Sequence, residues 1–288
     1  MMARVVCAGH VNWDVTLRVD RLPAPDGEAV IDGQQEAGGG SAANTATVLA
    51  GLHCDPLLLG SVGDDRYAER VRRELTEAGV DCGHVQTAAG EATTIKYLLV
   101  DEDGEVMMLA NDGANEAFTA GDLSRETLES ADHLHLTSQH PETALALAEA
   151  ADAAGLSVSL DPGRRLDRRE YGAVLERADT VFLNAHEATT AREDGRLRSE
   201  NRLTVVTQGG EGAEVRWEGG TASQPAADVS VVDTTGAGDA FAAGFLAARL
   251  DGAGHEDALA VANACGATAV QTVGARTTVT WADVDDYR

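Results

Sequence analysis

Nine consecutive residues, Asp233-Thr234-Thr235-Gly236-Ala237-Gly238-Asp239-Ala240-Phe241, are the stretch of the chain best suited to chemistry. They follow a short apolar run, Val229 to Val232, and open a helical pattern from Ala240 onward. Small residues at 236–238 let backbone N–H groups approach an anion with no Cβ in the way. At a helix N-terminus those groups lack intrahelical partners, and the helix dipole favours negative charge beside them. Asp239 stands next to the donors and is placed to take a proton from an attacking hydroxyl. The chemistry implied is transfer of a phosphoryl group to an alcohol. A bare Gly-x-Gly-Asp would say little, because glycine and aspartate are ordinary cap residues. The information lies in the whole stretch.

Other candidates lie upstream. Asn12-Trp13-Asp14 follows the first apolar run, and a carboxylate there suits two neighbouring hydroxyls or a plain turn. Gly60-Ser61-Val62-Gly63-Asp64-Asp65 reads as a turn, hence as architecture. Asn184 and Glu187, at i and i+3, share one helix face. Mg2+ keeps waters and needs few carboxylates, so one Glu would suffice; a helix cap is the plain alternative. Lys96 is the sole lysine of the chain. Facing a cleft, its ammonium could meet a substrate phosphate; on an exposed strand it would guard an edge.

The nonapeptide matches D-T-x-G-A-G-D, and on it the chain resembles the PfkB/ribokinase family of small-molecule kinases. The resemblance runs over nearly the whole chain and in order. Gly39-Gly40-Ser41-Ala42-Ala43-Asn44 is similar to the family's G-G-x-x-A-N, and Gly60 to Asp65 to G-x-V-G-x-D. Gly113-Ala114-Asn115 follows a second hairpin as in the family. Asn184-x-x-Glu187 is similar to N-x-x-E, Thr207-Gln208-Gly209-Gly210-Glu211-Gly212 to T-x-G-x-x-G, and Gly274-Ala275 to the terminal G-A. The resemblance implies Asp239 as the catalytic base, with Gly236, Ala237 and Gly238 as the anion hole. It implies Asn12, Asp14, Gly39, Gly40 and Asn44 as sugar contacts; Lys96, on a lid strand expected to face the cleft, would stand beside them. Asn184, Thr207, Gly209, Gly212 and Asn263 would lie near ATP. Glu187 would serve Mg2+ through water, and Asp233 and Thr235 a monovalent cation, K+ in several members. Ser41 stands where ribokinases proper have lysine, which argues against free ribose. Tyr67-Ala68 replaces a common Phe-Gly, a tolerable change. The segments Gly9 to Asp14, Gly39 to Thr45, Leu160 to Gly163 and Asn184 to Glu187 are most similar to archaeal nucleoside kinases. Archaeal ribose-1-phosphate kinases come next. Both would phosphorylate the 5-hydroxymethyl of a ribofuranose.

Positioning these residues calls for an α/β body. Arg4 to Ala8, Pro56 to Gly60, His133 to Leu136, Ser157 to Leu160, Thr180 to Leu183 and Leu203 to Thr207 read as short buried strands. Between them fall helical patterns at Ser41 to Ala50, Asp65 to Ala78, Pro141 to Ala154 and Arg169 to Arg177. A strand near Glu214 and helices over Gly238 to Leu250 and Glu256 to Val273 follow. This rhythm predicts a doubly wound parallel sheet with helices on both faces. Val15 to Val19, Glu28 to Gly33, Thr93 to Val100 and Glu105 to Ala110 break it and predict a small β lid, from about 12–36 and 92–112. The turn Asp101-Glu102-Asp103-Gly104 joins the second pair. One kinase domain over 1–288 accounts for the length. Open lid edges favour pairing with a second copy, hence a homodimer through the lid.

Composition narrows the class. There are 22 basic and 48 acidic residues, so the net charge of −26 excludes nucleic acid and acidic membranes as partners. Nearly all the basic residues are arginine. Such a surface stays hydrated, and its repulsion is screened within about 3 Å at 1 M salt, as suits a salt-in halophile. Cys7, Cys54, Cys82 and Cys265 are scattered, which speaks against a zinc site or disulfides. The start, Met1 to Gly9, lacks a signal-peptide pattern, and no apolar run approaches the roughly 20 residues of a membrane helix. A cytoplasmic protein is expected. The sole lysine follows Ile95, so G-x-x-x-x-G-K-[ST] is absent. A nicotinamide fingerprint fails at Phe241, and the histidines lack H-E-x-x-H spacing. A ligand sensor on the same fold is the non-enzyme alternative.

Overall fold

A computed structural model describes residues 2–103, 105–111, 113–197 and 202–287. The chain opens with β1 (Arg4–Ala8), crosses to a second sheet for β2 (Asn12–Val19) and β3 (Ile31–Gly39), and returns through α1 (Ser41–Gly51). Next come β4 (Asp55–Val62), α2 (Arg66–Glu77) and β5 (Asp81–Thr87), then the second sheet's β6 (Ile95–Val100) and β7 (Val106–Ala110). The body continues with α3 (Arg125–Glu129), β8 (His133–Thr137), α4 (Pro141–Ala154), β9 (Ser157–Asp161), α5 (Gly172–Arg177), β10 (Thr180–Asn184) and α6 (Ala185–Glu193). It closes with β11 (Leu203–Thr207), β12 (Ala213–Trp217), β13 (Gly220–Gln224), α7 (Ala237–Leu250), α8 (His255–Ala269) and α9 (Trp281–Asp285).

The large sheet runs β13-β12-β11-β10-β9-β8-β1-β4-β5. It is parallel except for β12 and β13, which pair antiparallel. Strand order reverses between β1 and β8, and that is where α/β sheets open a ligand crevice. Side chains alternate along β1. Val5 and Cys7 join the core formed with α1, α2, α7 and α8; Val6 and Ala8 join the core formed with α3 to α6. Both faces are therefore covered, which explains why these strands read as continuous apolar runs. Alanine-rich α7 packs closely on α8, where Gly244 lies against the Cys265 sulfur.

The small sheet, the lid, has the order β3-β2-β6-β7. Its outer pairs are antiparallel and its central pair, β2 with β6, is parallel. Trp13, buried in the body's core cluster, anchors this sheet, tilted against Tyr67 of α2 at 5.9 Å and donating to Glu36 at 3.2 Å. Asp14 and Lys96 are paired across β2 and β6, so they point to one side of the sheet.

Several expected boundaries shift. The strand read at Glu28 to Gly33 is Ile31–Gly39, because Gly38 and Gly39 extend the lid beside large neighbours rather than ending it. A Cβ on Gly38 would meet the Arg276 guanidinium, and one on Gly39 the Asp14 carboxylate. The helix read at Arg169 starts at Gly172, and the last long helix stops at Ala269 rather than Val273. Asp65 is a cap, accepting from Tyr67 N and Ala68 N, rather than the first helical residue. β5 and β13 were not expected. Of the residues in the expected signal-free start, hairpin turn and lid limits, Met1, Gly104 and Asp112 lie outside the described residues.

With 48 acidic and 22 basic residues, the acidic excess has no basic partners to find. The melting temperature should therefore rise by roughly 10 °C between 0.1 and 2 M KCl, a few kcal/mol at this size. Scanning calorimetry across that series checks it; a flat or falling curve overturns it.

Candidate active site

Helix α7 begins where the glycines allow it. Gly236 caps it with φ 79°, a left-handed conformation natural to glycine, and a Cβ there would run into the Ala275 carbonyl. Asp233 locks the approach: Oδ1 accepts from Thr235 N at 2.8 Å and Oδ2 from Gly274 N at 2.9 Å. This ties the 233–236 loop to the Gly274-Ala275 turn. Ala237, Gly238 and Asp239 form the first turn, and apart from the neighbouring backbone of its own helix nothing lies within 4 Å of the position a Gly238 Cβ would take. The helix thus presents open backbone donors with a carboxylate in their midst.

Asp239 Oδ2 accepts from Asn44 Nδ2 of α1 at 2.8 Å. Burial pushes the Asp239 carboxyl up to about 6; Asn44, Lys96 and Ser41 oppose the rise and Asp14 adds to it. A carboxylate tuned this way is largely ionised near neutrality yet basic enough to accept a proton.

Beside Asp239 the structure brings together the expected sugar contacts. Asn12, Asp14 and Asn44 are buried, and Asn12 Nδ2, Asp14 Oδ1 and Asn44 Oδ1 have no hydrogen-bond partner. Buried orphan polar atoms are costly, and three in one place mark where a polyhydroxyl ligand would supply partners. Gly40, with φ 101°, caps α1 close to the His10 carbonyl. Asn115 holds the set in place, donating to Asn12 Oδ1 at 2.7 Å and accepting from Val11 N at 3.1 Å. Ser61, in the segment read as architecture, supports the same turn by accepting from Ala117 N at 3.0 Å. Burial raises the Asp14 carboxyl, against the pull of Lys96 and Arg276.

The nucleotide-side residues divide. Asn184 and Glu187 form a reciprocal cap on α6, Glu187 N to Asn184 Oδ1 and Asn184 N to Glu187 Oε2, both at 2.9 Å. The Asn184 side chain is thereby engaged through its oxygen, while Glu187 is buried and raised by that burial. Thr207 ends β11, and Gly209, with φ 59°, leaves open space where a Cβ would be. Gly212, with φ 103°, lies against the Gln224 carbonyl. Asn263 of α8 donates to the carbonyls of Gln224 and Pro225, both at 3.1 Å, so Gly212 and Asn263 meet at one stretch.

Two residues escaped the sequence. Asp161 ends β9, and burial, then Glu187 and Asp239, push its carboxyl up to about 8. It joins Asp14, Glu187 and Asp239 as the fourth acid raised by burial. Arg276 is buried; it donates to the Gly39 carbonyl at 3.1 Å and pairs with Glu74 at 3.2 Å. Its only hint was a position just after Gly274-Ala275. Among the described residues no group of three or more His, Cys, Asp or Glu could by itself hold a metal.

A family model described as pfkB family carbohydrate kinase matches residues 2–282. The chain belongs to the pfkB family. The ATP-dependent ribose-1-phosphate kinase of Halopiger xanaduensis is 51% identical to this pfkB chain over 283 residues, covering 97% of this chain and 96% of that one. The nucleoside kinase of Methanothermobacter thermautotrophicus is 28% identical, covering 96% and 92%. Among solved structures, the Methanocaldococcus jannaschii nucleoside kinase, an archaeal member of the ribokinase family, superposes with a TM-score of 0.87 at 25% identity, covering 99% and 98%. The Arabidopsis thaliana ribokinase complexed with ribose and ATP gives 0.88 at 25%, covering 100% and 99%. This pfkB chain is thus a small-molecule kinase with the ribokinase-like fold, a sugar or nucleoside kinase.

A base at Asp239 has to be ionised to work, so with Asp239 in that role kcat/KM should climb through pH about 6 and level off above it. Asp239→Asn should lower kcat by about 10²–10⁴ and remove that rising limb. An unchanged kcat in the variant, or a parent profile flat from pH 5 to 7, sinks the assignment.

Proposed function

We propose that the protein transfers the γ-phosphoryl of ATP to the 5-hydroxyl of ribose 1-phosphate. The observation that carries this reading is the cleft itself. A tuned carboxylate at a helix N-terminus adjoins three buried orphan polar atoms, with the chain's sole lysine opposite Asp14. The likeness to the Halopiger enzyme supports the choice of acceptor. A nucleoside is the second reading, favoured by the two archaeal nucleoside kinases.

The chemistry follows from the geometry. Asn12, Asp14 and Asn44 bind the ring hydroxyls, and Gly39 and Gly40 let the sugar come close. Asp239 accepts the proton of the 5-hydroxyl as its oxygen bonds to the γ-phosphorus and the bond to the β-phosphate oxygen breaks, releasing ADP. The amides at 236–238 face the charge on the transferring oxygens. Lid closure keeps water out and so limits hydrolysis of ATP.

Asp161 and Glu187 raise the proton affinity of the acidic cleft, a strain that a divalent cation would relieve. They fit a water-bound Mg2+, which would neutralise phosphate charge. Among the described residues the carbonyls of Asp233 and Thr235 accept no backbone hydrogen bond, which fits K+. Four free thiols and no helix long and apolar enough to cross a membrane, among the described residues, accord with a cytoplasmic setting. The charge accords with a salt-rich one.

ADP release in about 2–3 M KCl, with ribose 1-phosphate, nucleosides, ribose and fructose as acceptors, tests the reading. Ribose 1-phosphate should lead by tenfold or more in kcat/KM; a nucleoside in the lead overturns the acceptor, and silence on all overturns the kinase.

The lid carries the second proposal, a homodimer. β7 exposes Val106, Met107, Met108 and Leu109 along an open edge. Light scattering should give twice the monomer mass, and Met107→Asp with Leu109→Asp should halve it. A monomeric parent refutes the dimer.

A further inference from the structure

The cleft has another polar wall that phosphoryl transfer does not use. Glu116, just after Asn115, accepts from Arg169 Nη1 and Nη2 at 2.7 and 3.1 Å and from Arg165 Nη1 at 3.0 Å. It also lies 3.1 Å from His10 Nε2. One carboxylate therefore serves two guanidinium groups and leaves positive charge over. The surplus is unusual in a chain of net charge −26, yet four arginines fall within residues 164–169.

Lys96 faces the same ground from the lid. His10, Asp14 and Asp239 all feel its charge. Among the described residues it has no hydrogen-bonded or ion-paired partner. Gln139, just after β8, is 1% exposed, and neither its Nε2 nor its Oε1 has a partner. Its carbonyl accepts from Tyr171 Oη at 2.6 Å, and Tyr171 in turn lies beside Arg169. His10 follows β1 and Gln139 follows β8, the two strands between which the sheet order reverses.

We propose that Lys96, Arg165 and the side-chain amide of Gln139 form a subsite for the anomeric phosphate of the acceptor, with Glu116 and Arg169 as positioning residues. The subsite rests on the ribose 1-phosphate reading. A ribofuranose with its 5-hydroxyl at Asp239 turns its anomeric carbon, across the ring oxygen, toward another wall. A phosphate dianion there gives the orphan Gln139 amide an acceptor and meets the surplus charge of Lys96 and Arg165. A neutral nucleobase would satisfy Gln139 alone. Glu116 keeps the guanidinium of Arg165 from folding away, as a second carboxylate-bound layer does in other anion sites.

The test is steady-state kinetics with ribose 1-phosphate at saturating Mg-ATP. Arg165→Met and Gln139→Leu should each raise KM for ribose 1-phosphate about tenfold or more, with kcat changed less than about threefold. Arg165→Lys should keep part of what Arg165→Met loses. KM within about twofold of the parent in both variants, or a loss confined to kcat, overturns the subsite. Inorganic phosphate gives a reading on the unaltered protein, free of any folding defect: competition with ribose 1-phosphate is expected, and its absence counts against the subsite. A parent that ignores ribose 1-phosphate but turns over nucleosides overturns the acceptor reading. An active parent with insensitive variants overturns the subsite alone.

Discussion

The hydrogen bond from Asn44 to Asp239 joins two helix N-termini, and most of the site hangs from it. α1 carries Asn44 and α7 carries Asp239. Each starts at a glycine with positive φ, Gly40 and Gly236, whose missing side chain lets a carbonyl from elsewhere come near. Replace either glycine and its helix start must shift, and with it one partner of the bond. The two helices also pack against each other through small residues, so the bond sits at the end of a close, rigid contact.

Around that bond the cleft balances charge at short range. Asp14, Asp161, Glu187 and Asp239 are all pushed up by burial, and Asp161 further by Glu187 and Asp239. Lys96 and Arg276 supply the counter-charge beside Asp14. Arg276 does so at a cost, because burial lowers its own affinity for its proton; Glu74 and the Gly39 carbonyl stabilise it. The result is an Asp239 carboxylate held within reach of neutrality rather than locked in a strong ion pair.

Local features were legible in the sequence, and features set by distant partners were not. The stretch from Asp233 to Phe241 reads as a helix start because its glycines, cap and helix are contiguous. The β1, β4 and β8 to β11 runs read as buried strands because both their faces are covered. The polar strands β5 (DCGHVQT) and β13 (GTASQ) lie at the two edges of the sheet, where no apolar pattern is demanded, and so gave no signal. The extension of β3 through Gly38 and Gly39 depends on Arg276, more than two hundred residues away. Asn184-x-x-Glu187 shows how one pattern serves two ends, since the pair caps α6 whatever else Glu187 does. Asp161, Gln139 and Arg276 were given no role by the sequence and acquire one from what the fold places beside them.

One lysine in 288 residues, with its side chain in the cleft, has a practical side. Reagents that acylate or reductively alkylate side-chain amines find a single address on this protein, on the lid strand opposite Asp14. A reporter group could be attached there and nowhere else along the chain's side chains. Occupancy of the cleft would shield it, so the extent of labelling would itself record how full the site is.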